Sequence, residues 1–424
     1  MRRARLAVAV AATLYVASVA LQVGAGGQLP DTFFDETSAP AVAYATQQPH
    51  DPVAQLNEKL AAGSATLAFE PGTGYLPAVL KALAVPVESQ IATFAKSSVQ
   101  AHIISPANPR TLFFNDSVVV GWPRGGFIEA AAIDPQLGVE FYILDQQQSA
   151  VPRFERGRRC TSCHLSSEAT LDIPGLLLRS QAALADGVTM RQLGSEVVDH
   201  RLPLNKRWGG WYVTGRTVGV ATLGNVMLRR QIETDAGVEP QSIPMTTLRG
   251  AFDTDAYLSP FSDVVALMVF DHQVRMTNLL ARLSWEARAA EGRPNAAMLV
   301  DAVAREVVDY MLFVDEAPLT GRVEGSSGFA EWFSARGPAD ARGRSLRQLD
   351  LHQRLLRYPC SYMIYSDAFE GLPRLARDAV YRRMYAVLSG ADQTPRYARL
   401  AASDRRTIID ILRDTKSGLP EYFR

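Results

Sequence analysis

Phe127-Ile128-Glu129-Ala130-Ala131-Ala132-Ile133 and Val139-Glu140-Phe141-Tyr142-Ile143-Leu144 are two apolar, β-branched-containing runs joined by Asp134-Pro135-Gln136-Leu137-Gly138. Pro after Asp and a Gly closing the loop suit a short turn, so the stretch reads as a β-hairpin. Just upstream, Leu112-Phe113-Phe114 and Val118-Val119-Val120 flank the turn signal Asn115-Asp116 and extend the β-rich segment. Just downstream, a basic loop from Arg153 to Arg159 leads into Cys160-Thr161-Ser162-Cys163-His164.

The remainder of the chain reads differently. Residues 26–65 are rich in Ala, Gln, Thr and Pro with little periodicity, which predicts a linker. Tyr75 to Lys96 alternates apolar clusters with Pro77 and Pro86 and suits short helical pieces. From Ser259 onward the pattern is helical. Ser259-Pro260 followed by Asp263 is a helix start, and Val265, Met268, His272, Met276, Leu279 and Leu283 then recur at spacings of three and four. Further helices are predicted over Met298–Phe313, Ser345–Arg357, Leu372–Leu388 and Ser403–Asp414, the last capped by Ser403. The fold class is therefore α+β and mainly α. A hairpin-rich segment surrounds the cysteine motif and a helical carboxyl-terminal half follows it.

The spacing C-x-x-C-H reads as a covalent c-type haem attachment site. Cys160 and Cys163 can each add to a haem vinyl group, and His164 can then reach the iron as the proximal ligand. A dithiol redox pair and half of a zinc site are the competing readings. A zinc site needs about four ligands, and no second C-x-x-C or paired-His motif completes one. A thioredoxin-like pair opens a helix after a strand in a compact βαβ unit, which these flanks do not resemble. In small soluble cytochromes c a helix leads into the motif, so a hairpin there argues against that simple fold.

Covalent haem attachment takes place outside the bacterial cytoplasm, so the motif predicts an export signal. Met1-Arg2-Arg3-Ala4-Arg5 supplies a positive start, Leu6 to Leu21 an apolar run, and Val23-Gly24-Ala25 short residues suited to signal-peptidase cleavage. The run falls short of the ~20 residues that span a bilayer comfortably. A cleaved signal peptide over residues 1–25 and a periplasmic or otherwise exported location are the expectation. An uncleaved anchor, with membrane attachment, is the alternative. Acidic and basic residues balance at 44 each, which leaves no basic excess for nucleic acid. Two of three cysteines go to the motif, and Cys360 remains as a lone, buried and inert thiol.

The ligand on the other side of the iron decides between an electron carrier and a haem that meets substrate. His272 lies on the apolar stripe of its helix, and His200 lies in Asp199-His200-Arg201, where Asp199 can orient the ring. Met190 and Met227 are further candidates, and an open distal site is the remaining one. For each histidine an ordinary role stands beside the ligand role: a core imidazole satisfied by protein for His272, a polar loop for His200. Arg207-Trp208-Gly209-Gly210-Trp211-Tyr212 can wall a haem, or form a tight loop that fills the core with its tryptophans.

Asn108-Pro109-Arg110, Phe113-Phe114-Asn115-Asp116, Val120-Gly121-Trp122, Gly125-Gly126 and Asp134-Pro135-Gln136-Leu137-Gly138 are part of a longer pattern. It continues through the haem motif, Asp199-His200-Arg201, Arg207 to Gly215, His272-Gln273 with Asn278-Leu279, and Leu412-Arg413-Asp414-Thr415 with Leu419-Pro420. The pattern resembles exported bacterial cytochrome c domain-containing proteins, from about residue 100 to the carboxyl terminus. The resemblance implies one covalent haem c held by Cys160, Cys163 and His164, and no assigned substrate. The sequence predicts an exported monohaem cytochrome that transfers electrons to a partner protein, with a peroxidase-like haem enzyme as the alternative. Residues 66–258 would carry the haem and residues 259–424 would pack against them.

Overall fold

In the computed structural model, described over residues 42–228 and 238–423, seven strands form one antiparallel sheet. They are β1 (Ile91–Thr93), β2 (Arg110–Phe114), β3 (Val118–Pro123), β4 (Ile128–Asp134), β5 (Gly138–Leu144), β6 (Glu155–Arg156) and β7 (Trp211–Tyr212). Their order is β7-β1-β2-β3-β4-β5-β6. The predicted hairpin is β4–β5, with Asp134 opposite Gly138 and Ile128 opposite Leu144. Asp134 builds its turn by accepting the Gln136 and Leu137 N–H groups, and Gly138 adopts the left-handed φ that closes it. Asn115 closes the β2–β3 turn in the same way through Ser117 and Val118.

Side chains alternate across the sheet, and both faces are covered. Leu112, Phe114, Val119, Ile133, Val139 and Phe141 face one core; Phe113, Val118, Val120, Trp122, Ala132 and Leu144 face another. The second core is closed by α1 (Pro52–Ala61) and α2 (Leu76–Ala82). Helix α1 falls within the stretch predicted as linker, and the structure corrects that reading. Asp51 caps it by accepting the Val53 and Ala54 N–H groups, Pro52 starts it, and Val53, Leu56 and Leu60 are buried along one face. An Asp-Pro pair read as loop chemistry is here a helix start. Within Tyr75–Lys96 the helical piece is α2, but Ile91–Thr93 is strand.

The motif forms a short turn of helix, α3 (Thr161–His164), followed by α4 (Ser167–Thr170). The long helix α5 (Val264–Ala289) covers the first face of the sheet. Around it stand α6 (Ala296–Met311), α7 (Phe329–Ser334), α8 (Asp367–Glu370), α9 (Arg374–Leu388) and α10 (Ala402–Thr415). The sequence predicted a single apolar stripe on α5, yet the helix is buried on nearly every side, Asp271, His272, Gln273, Thr277 and Asn278 included. The helix predicted over Ser345–Arg357 does not form. There Asp350 accepts the His352 and Gln353 N–H groups and Leu351 takes a left-handed φ, so local side-chain bonds replace the helical ladder. Ser403 sits inside α10, and the capping position is Ala401.

Residues 48–424 make one compact unit. Of residues 1–47, those described form a turn in which Thr46 and Gln47 N–H donate to the Ala43 carbonyl. The predicted signal segment and the start of the predicted linker lie outside the described residues. Among the described residues no helix is long and apolar enough to cross a membrane.

Asp271, in the middle of α5, accepts from Arg207 at 3.0 Å and from the Trp208 indole at 3.2 Å, with both ion-pair partners buried. Removing one member of a buried pair strands the other charge, which costs about 3–5 kcal/mol. Asp271→Ala should therefore lower the unfolding free energy by that amount in urea titrations, and Asp271→Leu combined with Arg207→Met should recover most of it. A single-variant loss below about 1 kcal/mol would show that the pair does not anchor this helix.

Candidate functional site

Strand β6 delivers the cysteine motif from the sheet edge. Arg156 pairs with Tyr142 of β5, the Gly157 N–H donates to the Phe141 carbonyl, and the Cys160 N–H donates back to Gly157. A β-carbon on Gly157 would come within 3.0 Å of the Cys160 sulfur, so this position favours glycine. Thr161 and Ser162 hydroxyls donate to the Arg158 and Arg159 carbonyls and tighten the turn. Cys160 is half-buried, Cys163 is exposed, and both are free thiols. Burial pushes the Cys160 thiol up to about 11.

His164 is held by the segment that follows it. Leu171 and Asp172 both take left-handed backbone angles, and the chain doubles back. The Gly175 N–H then donates to the His164 carbonyl at 2.9 Å, and the His164 Nδ1 bonds the Gly175 carbonyl at 2.9 Å. A carbonyl only accepts, so the proton sits on Nδ1 and the Nε2 lone pair is free. The ring lies against Phe141 with centroids 4.8 Å apart, and burial lowers its basicity and keeps it neutral. Asn278 on α5 secures the loop from behind, accepting the Leu176 N–H and donating to the Leu176 and Ala169 carbonyls. A β-carbon on Gly175 would strike the Asn278 side chain at 2.6 Å.

The two histidines considered for the far side of the iron are brought together, with each other. His200 Nδ1 and His272 Nδ1 are 2.8 Å apart, and His272 Nε2 is 2.7 Å from the Ser361 hydroxyl. Both rings stack on Tyr310 and Phe313. Burial lowers the basicity of both, that of His272 to about 3. His272 thus spends both ring nitrogens on protein partners, as a core imidazole does, whereas His200 Nε2 is buried without a partner among the described residues. Asp199, expected to orient His200, instead engages Arg201. Among the described residues no hydrogen bond or ring contact joins either histidine to His164.

Met190 fills a small cluster with Ala182 and Leu228, and Met227 packs beside Ala92 and Leu248. The two tryptophans are core residues: Trp208 donates to Asp271, Trp211 to the Arg179 carbonyl. Gly209 and Gly210 admit the close approach of the Gln181 backbone. Cys360 is fully buried, with its thiol pushed up to about 12. Sequence reasoning assigned no site role to Gly175, Asn278, Ser361, Tyr310 or Phe313. The signal for Gly175 was present, since Ile173-Pro174-Gly175 places a turn soon after the motif.

The donor set fits a covalently held haem: two free thiols and one neutral imidazole, its Nδ1 bonded to a backbone carbonyl and its Nε2 an acceptor, on a single turn. No cluster of three or more His, Cys, Asp or Glu gathers among the described residues, as a zinc site would need. Comparison with family models, curated proteins and solved structures finds no match.

Two outcomes check this geometry. Asn278→Leu removes partners from three buried backbone groups and should cost about 2–5 kcal/mol in urea unfolding. NMR of ring-labelled histidine should find His200 and His272 neutral and non-titrating from about pH 8 to about pH 5. A titration midpoint near 6.5 for either ring would mean that the pair is open to water.

Proposed function

We propose that this chain is an exported monohaem c-type cytochrome that passes electrons to a partner protein. The observation that carries the reading is the His164 ring, whose Nδ1–H is fixed on the Gly175 carbonyl beside two free thiols. Cys160 and Cys163 would form the thioether links and His164 Nε2 would take the iron. The Gly175 carbonyl holds the proton at Nδ1, orients the ring and raises its donor strength. Asn278 keeps that carbonyl in place through Leu176. Bound haem supplies one-electron chemistry, with a potential set by burial and by bonds around the iron ligand. The resemblance to exported cytochrome c domain-containing proteins points the same way. The haem would sit on an α+β body rather than on the small helical fold of soluble cytochromes c.

A second reading, a haem enzyme with an open distal site, is favoured by one specific observation. His272 gives Nδ1 to His200 and Nε2 to Ser361, which leaves His200 Nε2 as the ring nitrogen of the pair unpartnered among the described residues.

Expression of the full chain with a haem c maturation system tests the first claim. Haem should survive a denaturing gel in the wild type and be lost in Cys160→Ser/Cys163→Ser. Loss of haem from the denatured wild type would overturn the covalent reading. The ferric spectrum then separates the two functions. A high-spin band selects the open site. A low-spin spectrum lost in His272→Ala or His200→Ala selects a carrier in which the histidine pair opens to the iron.

A further inference from the structure

A cavity of about 1000 Å3 lies beside the histidine pair, and none of the chemistry above uses it. Leu204, Val220, Phe313, Val314 and Leu400 give it apolar walls, while Arg201, Arg354, Arg396 and Arg399 bring four cations to its lining. Its size and mixed lining are those of a site for an organic molecule and exceed what a single small inorganic ion needs.

Three further observations bear on its occupant. The first is backbone strain in the segment after α6. Phe313 and Asp315 both take left-handed angles, φ +55° and +63°, although neither is glycine. Such residues cost on the order of 1–3 kcal/mol each and collect where a binding surface fixes the backbone. The segment is pinned in that shape, since the Val314 N–H donates to the Asp309 carbonyl and the Ala317 N–H to the His200 carbonyl. Phe313, which lines the cavity, also stacks on both His200 and His272.

The second observation is charge. Arg201 pairs with Asp199, Arg354 with Asp404, and Arg396 with Asp309 and Asp315. Arg399 differs: among the described residues its bond is to the Glu316 carbonyl, at 3.3 Å, and it has no carboxylate partner. Third, the acids of the lining are Asp315, already engaged with Arg396, and Glu316. Glu316 accepts the Leu355 N–H, and burial raises its carboxyl to about 7, which weakens its charge near neutral pH. Among the described residues, Arg399 is therefore the cation of the lining that no carboxylate engages, beside an apolar floor.

We infer that this cavity binds an organic carboxylate with a hydrocarbon body. The carboxylate meets Arg399, and the hydrocarbon lies along Phe313, Val220, Leu204 and Leu400. A guanidinium free to make a bidentate bond is the group that recognises a planar carboxylate best. This inference does not depend on the haem reading.

Calorimetric titration of the purified protein with decanoate tests it, with 1-decanol and inorganic phosphate as comparison probes. Decanoate should bind saturably at one site, and 1-decanol and phosphate at least about tenfold more weakly. Arg399→Gln should weaken decanoate by about tenfold or more, while Arg374→Gln, on the exposed face of α9, should leave it unchanged. Ala221→Trp, which places an indole in the lining, should abolish binding while circular dichroism stays native. Absence of saturable decanoate binding would overturn the inference. So would equal affinity for 1-decanol, or wild-type affinity in Arg399→Gln.

Discussion

Helix α5 carries Asp271, His272, Gln273 and Asn278 into the protein interior, and each of them must find a partner there, because a buried polar group left unpaired costs about 1–3 kcal/mol. Their partners lie on four separate stretches of chain. Asp271 takes Arg207 and Trp208, His272 takes His200 and Ser361, Gln273 takes Tyr362 and the Asn115 carbonyl, and Asn278 takes the loop after the motif. An apolar helix would pack in several rotational settings at similar energy. This one is fixed in register, and segments from residue 115 to residue 362 are placed by it. Asp263 begins the same pattern at the amino end, with one carboxylate oxygen capping α5 and the other holding the Ser326 and Ser327 N–H groups.

The motif benefits at second hand. A turn of four residues has no stability of its own, and the direction of its imidazole would be set by chance without support. Here the sheet edge supplies one side, through Phe141 and Gly157, and the helix supplies the other, through Asn278 and the Gly175 loop. The ring is consequently held in one tautomer and one orientation by backbone groups, which do not titrate. That arrangement suits a group whose task is to keep a lone pair pointed outward and available.

Much of this was legible in the residues. The β4–β5 hairpin, the existence of α5 and the helices near Met298, Leu372 and Ser403 follow from turn chemistry and apolar spacing, although α5 begins at Val264 behind an Asp263 cap and not at the Ser259-Pro260 pair. The errors have physical causes. The stretch over 345–357 has helical spacing of leucines, but Asp350 draws neighbouring N–H groups to its own carboxylate. Helix α1 is announced by a cap and a proline that also serve in loops. The sheet's two covered faces erase the alternation that would reveal them, because Phe113 and Phe114 are both buried, on opposite sides. At the site, the thiols and His164 are contiguous and therefore visible. Asn278 and Ser361 act across more than eighty positions of chain, and nothing local marks them.

The sheet ends, at both margins, in strands of two residues, Glu155–Arg156 and Trp211–Tyr212. A long, exposed outer strand offers a row of free amides and carbonyls on which a second chain can add itself. Neither margin here is long enough to template such growth, and on one side the chain leaves directly into the cysteine turn. Propagation of the sheet from molecule to molecule is thereby discouraged. At this sheet, contact between molecules would fall to side-chain surfaces before backbone pairing.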